Sequence, residues 1–152
     1  PSNKCKTKQQ SFIRMKHICK NKELLVADAG ADYIYKENDS NSSTPIGLET
    51  AYGLIQKADY WINVGSAKTL DELKAVNPKF ADAKAVHEKT VYNNNLRLTP
   101  TGGNDYWESS VVRPDVVLRD LIRIFHPKLV SDYFIITEIW NEKNRLFGYE
   151  RI

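Results

Sequence analysis

A chain of 152 residues that is 41% hydrophobic, 27% charged and 11% aromatic is long enough to bury a core and too apolar for a disordered segment. Its formal charge of +3 is unevenly placed: seven of the 22 basic residues precede the first acid, Glu23, and the remaining 15 face 19 acids, which argues against a domain-wide nucleic-acid footprint. No apolar run is long enough to span a bilayer and no signal-peptide pattern is visible, so an exported protein would carry its targeting segment upstream of Pro1.

The basic segment 1–25 stands apart in composition. Cys5 and Cys19 have neither CxxC nor zinc-ligand spacing and read as unpaired structural or incidental thiols. From Ser11, the residues Phe12, Met15, Ile18, Cys19, Leu24 and Leu25 recur at roughly helical spacing, which predicts one helix, broken near Asn21 and ended by Gly30. Tyr33 to Tyr35 then read as a short strand, and ENDSNSST as an exposed loop. Thr44 and Pro45 carry the signs of a helix start, and Leu48, Ala51, Tyr52 and Ile55 fall on one face of that helix, with Glu49, Thr50 and Gln56 opposite.

Asp59 to Val64 reads as a continuous strand ended by Gly65. Thr69 with Glu72 makes a capping box for a short helix that ends near Asn77-Pro78. Thr90 to Asn93 is the next strand, and 96–108 reads as a long loop containing Gly102-Gly103. Ser109 or Ser110 is placed to cap a last helix with an apolar stripe of Val117, Leu118, Leu121, Ile122 and Phe125. The tail, DYFIITEIW, NEKN and RLFGYERI, has the pattern of a β-hairpin. Strands alternating with helices imply parallel βαβ units, so the expected fold is α/β: a Rossmann-like three-layer sandwich with a mainly parallel sheet over 26–130 and a C-terminal hairpin or strand extension over 131–152.

In such sheets ligands gather at the carboxyl ends of the strands. The loop after Asn93 is the richest candidate: Asn95, Arg97, Asn104, Tyr106 and Trp107 combine amide and guanidinium donors with aromatic faces, suited to a large flat or anionic ligand. Metal and catalytic signals are weak. His17, His87 and His126 are scattered, and there is no GxSxG elbow, Cys–His pairing or GxxxxGK[ST] phosphate loop, so no intrinsic metal, cofactor or catalytic residue is assigned.

Several passages in order, VADAGADYIY, TPIGLETAYGLIQKADYWINVG, AVHEKTVYNNN and RPDVVLRDL, resemble the C-terminal lobe of periplasmic substrate-binding proteins that serve ABC importers of iron chelates, haem or cobalamin, in the class with a rigid helical backbone between lobes. The resemblance covers rather more than half of the chain. It implies a non-enzymatic lobe whose ligand is an iron-siderophore, haem or cobalamin chelate, a periplasmic or lipid-anchored location at the cell envelope, and a partner lobe expected upstream. It also implies an ABC permease in the cytoplasmic membrane as docking partner, with Glu49 matching the family's docking glutamate. Two rivals remain at this level. One is a Rossmann-like nucleotide-binding enzyme domain, which needs a glycine-rich phosphate loop after the first strand, where ENDSNSST has none; the other is an interaction module whose Lys4–Lys22 arm meets an acidic partner.

Overall fold

The computed structural model describes residues 11–13, 25–35, 46–131 and 136–140. In chain order the elements are β1 (Ser11–Ile13), a helical turn α1 (25–28), β2 (Asp32–Tyr33), α2 (Leu48–Ile55), β3 (Tyr60–Ile62), α3 (Leu70–Val76), a 3-10 turn (Pro78–Asp82), α4 (Lys84–His87), β4 (Val91–Asn93), α5 (Tyr106–Val112), α6 (Pro114–Phe125) and β5 (Glu138–Trp140). The strands form one sheet in the order β2-β1-β3-β4-β5. The first four run parallel and β5 is antiparallel to β4, pairing Val91 with Trp140, Tyr92 with Ile139 and Asn93 with Glu138. The fold is therefore α/β with a small, mainly parallel sheet.

Side chains alternate across a strand, so Trp61 and Val91 point to one face of the sheet while Ile62 and Tyr92 point to the other. Each face carries its own core. On one, Trp61 and Val91 pack with Ile55, Leu73, Phe80 and Ala85; on the other, Ile62, Tyr92 and Tyr33 pack with Val26, Tyr106, Leu121, Ile124 and Phe125. The Trp61 ring meets Phe80 edge-on at 5.3 Å, and Tyr60 meets Phe125 in the same way at 5.3 Å. Below Trp61, Thr90 Oγ1 donates to the Asp59 carbonyl at 2.6 Å and Lys84 pairs closely with the Asp59 carboxylate, which fixes the amino ends of β3 and β4. That ion pair raises the Lys84 ammonium above the usual lysine range, chiefly through the Asp59 hydrogen bond.

Local signals explain several boundaries. Thr69 Oγ1 accepts from the Glu72 amide at 3.1 Å, and the Glu72 carboxylate reaches back to the Lys68 amide at 2.7 Å, closing the start of α3 one residue further out than the reciprocal bond of a capping box. Past α1, Gly30 adopts φ +78°; its amide donates to Ala27 at 2.9 Å and the Ala31 amide to Val26 at 3.1 Å, the paired bonds of a Schellman ending. In α6, Val117, Leu121 and Phe125 are buried, while Leu118 and Ile122 pack half-buried beside them.

Four expectations are corrected or fall elsewhere. Ser11–Ile13 is not the start of a helix but a strand, β1, seated between β2 and β3, with Phe12 opposite both Tyr33 and Tyr60. Hydrogen bonding on two sides outweighs a helical spacing that was set by only a few apolar residues. Helix α2 begins at Leu48, after Gly47, and so later than a start at Thr44-Pro45; those two residues lie outside the described ones. The stretch 96–108 is not one loop, because Tyr106 to Val112 is helical and takes in both Ser109 and Ser110. The turn and second arm of the expected C-terminal hairpin lie outside the described residues; the described part of the tail is β5, paired to β4.

Candidate functional site

Strand order fixes where a ligand crevice can form. The chain passes from β1 to β2 on one side and then returns past β1 to β3 on the other, so the order reverses between β1 and β3, and the carboxyl ends flanking that point are where open α/β sheets bind ligands. The exit of β3 flanks that point, and the exit of β4 lies beside it, one strand further out. Asn63, with φ +56°, turns the chain out of β3 and Gly65, with φ +102°, continues the turn. Asn93 is buried and its carboxamide donates to the carbonyls of Gly65 at 3.4 Å and Ala67 at 3.0 Å, stapling the β3 exit to β4.

Beyond β4 the chain builds a tight turn. Thr99 and Gly103 exchange backbone contacts, with the Thr99 amide on the Gly103 carbonyl and the Gly103 amide on Thr99 Oγ1, both at 2.8 Å. A Cβ on Gly103 would lie 2.9 Å from Thr99 Oγ1, and Gly102 sits at φ +87°, so this turn needs its two glycines. Leu98 pairs with Asn104 across it. Asn104 Oδ1 then accepts from the Tyr106 amide at 2.9 Å and starts α5.

The named residues differ in what they do. Tyr106 is buried in the core beneath α6, so its ring supports the site from inside, whereas Trp107, edge-on to it at 5.3 Å, is 55% exposed. Trp107 shares the outer surface of α5 with the exposed Val111 and Val112. Arg97 forms an ion pair with Asp105 at 3.0 Å, and Asp105 also accepts from Ser109 Oγ at 2.8 Å, so the guanidinium is already charge-matched by the loop itself. Asn95 lies at the mouth of β4, where its Oδ1 is shielded from solvent and accepts no hydrogen bond from the described residues. The turn brings Asn95, Arg97, Asn104 and Trp107 onto one stretch of chain leaving β4. Asn93, expected as part of the ligand loop, is instead the residue whose side chain holds the two exits together, while Asn63 turns the chain out of β3.

Burial pushes the Tyr92 phenol up to about 12, so β4 presents a neutral hydroxyl below the site throughout the physiological range. At the other end of α5, Arg113 and Asp115 form an exposed two-pronged pair at 2.9 and 2.7 Å, whose hydrogen bonds raise the guanidinium and lower the carboxyl from their ordinary values. Glu49 stands exposed in the first turn of α2. The short link 56–59 sets the end of α2 beside the amino ends of the strands, which leaves Glu49 at the carboxyl end, the same end as the β3 and β4 exits. Among the described residues there is no cluster of three or more metal-ligating side chains, and no helix long and apolar enough to cross a membrane. The glycine test applied to ENDSNSST belongs to the first strand, now β1; the sequence following Ile13, RMKHICKNK, has no glycine either.

No family model matches the chain. It is similar to an uncharacterized lipoprotein of Methanocaldococcus jannaschii, with 31% identity over 97 residues that cover 64% of this chain and 22% of the relative. The chain thus spans about a fifth of the length of the relative it matches.

Proposed function

We propose that this chain is one lobe, of Rossmann-like three-layer form, of a lipid-anchored envelope substrate-binding protein that delivers a metal chelate to an ABC permease. The cargo is an iron-siderophore, haem or cobalamin-type complex, and the protein performs no catalysis. What supports this reading is that Asn95, Arg97, Asn104 and the exposed Trp107 all lie on the stretch of chain leaving the carboxyl end of β4, one strand from the switch point of a mainly parallel sheet. An exposed indole offers a flat apolar face to a large ring or chelate, and the adjacent amides and guanidinium orient its polar rim. The similarity to a lipoprotein supports an envelope location with a lipid anchor, and the relative's greater length leaves room for a second lobe to close the cleft.

Glu49 is the docking contact in this account. A carboxylate in the first turn of a helix is favoured by the helix dipole and stays solvated until a cationic partner arrives. Reversing its sign with Glu49→Lys should cost folding at most ~1 kcal/mol through the helix dipole and leave chelate affinity unchanged, while cutting transport in proteoliposomes by about tenfold or more, because like charges then meet in a partly desolvated contact. Asp71, exposed in the first turn of α3, is the matched control. Glu72 is unsuitable, since its carboxylate holds the Lys68 amide. Equal losses for Glu49→Lys and Asp71→Lys, or no loss at Glu49, would remove the docking role.

A further inference from the structure

A buried carboxylate stands behind the candidate loop. Asp120, on the inner face of α6, is 1% exposed, and its Oδ2 accepts from the backbone amides of Ile136 at 2.8 Å and Thr137 at 2.9 Å. A single carboxylate oxygen therefore fixes the short segment that leads into β5. That segment is bonded in turn to the exit of β4: the Ile136 carbonyl accepts from the Leu96 amide at 3.3 Å, and Thr137 Oγ1 donates to Asn94 Oδ1 at 3.3 Å. Asn94 and Thr137 are themselves buried. Leu96 and Asn94 flank Asn95 and directly precede Arg97 and the turn that presents Trp107.

We infer that Asp120 is a positioning residue for the ligand loop, acting through the 136–137 segment rather than by touching a ligand. Buried groups that carry charge form the stronger hydrogen bonds, and two amides on one oxygen hold the segment in a single register against α6. Within the loop after β4 the Thr99–Gly103 bonds and the Arg97–Asp105 pair keep its shape, and Tyr106 seats its far end in the core. The bonds of Leu96 and Asn94 to residues 136–137 tie down its near end, and Asp120 holds those residues in place. The term "ligand loop" rests on the function proposed above; the mechanical link does not.

The test is amide hydrogen exchange of the unliganded full-length protein, comparing the native protein with Asp120→Asn, together with its urea unfolding midpoint. A carboxamide has nearly the same shape but is uncharged, so both bonds weaken. Exchange should accelerate on the order of tenfold at Leu96, Asp105 and the first turn of α5, with α2 and α3 on the opposite face unchanged. Thr137→Val, which removes only the hydroxyl bond to Asn94, should give the same pattern at smaller amplitude, and it decides the matter if Asp120→Asn fails to fold. Uniform acceleration across all helices would reduce Asp120 to a general stability role and overturn the inference. Acceleration confined to Ile136 and Thr137, or none, would overturn it as well. Binding of cyanocobalamin, haemin and a ferric trihydroxamate is measured on the same samples. If the native protein binds none of the three, the transport reading fails while the exchange pattern still judges Asp120.

Discussion

Trp61→Ala should destabilise the protein by about 3–5 kcal/mol, the range for removing a large aromatic from a core that cannot fully collapse around the space. Trp61 is fully buried on β3, the central strand of the sheet, and its ring is the floor on which Phe80 stands edge-on. Leu73, Ala83, Ala85 and Val91 surround it, and three of these four are too small or too constrained by strand and turn geometry to move into the vacated volume. Among the described residues the indole N–H has no hydrogen-bond partner, so the penalty is reckoned as lost packing. Trp61→Phe should accordingly recover a large part of it. Urea unfolding midpoints check both variants, and a loss below about 1.5 kcal/mol for the alanine variant would mean that this face of the sheet is not the tightly packed one.

Gly30→Ala is the second large effect, and its cause is conformational. At φ +78° a residue with a Cβ carries a steric penalty, and a Cβ built there would lie 2.7 Å from His126 Nε2 at the end of α6. The His126 ring can shift, but the backbone of the Schellman ending cannot relax without losing the Gly30 and Ala31 amide bonds. Together these should cost about 1–3 kcal/mol. In a His126→Ala background the clash disappears and only the backbone part remains, so the cost should fall to about 1 kcal/mol in a double-mutant cycle. An unchanged cost in that background would show that the ring contact contributes nothing.

Much of the framework was legible because its signals are local. The Thr69–Glu72 pair, the strand through Trp61 and Ile62, the glycine ending at Gly30 and the stripe on α6 each express one element's own chemistry. Strand β1 was not legible. Three residues, Ser11 to Ile13, give too short a pattern, and their strand character is imposed by the two partners between which they lie. Helix α5 was hidden for a different reason: two glycines and two serines read as loop and cap, whereas the actual start comes from Asn104 Oδ1 on the Tyr106 amide.

At the site, residue types suggested an anion-binding arginine, but the turn at Thr99–Gly103 brings Asp105 onto Arg97, a contact that depends on how the turn closes. The division of labour between neighbours Tyr106 and Trp107, one in the core and one outside it, was likewise set by where α5 lands. The Asp120 linkage could not be read at all. A lone aspartate in an amphipathic helix looks like a surface charge until the segment 136–137 is placed over it.

Equilibrium binding tests the central claim most directly. The full-length protein is dialysed against haemin, cyanocobalamin and a ferric trihydroxamate in turn, with bound metal counted and Trp107→Ala run in parallel. Saturable one-to-one binding of one of these chelates is expected, weakened at least about tenfold in Trp107→Ala, since ring stacking on an exposed indole is lost while the fold stays intact. No saturable binding of any of the three would contradict it, as would binding that is untouched by the loss of Trp107.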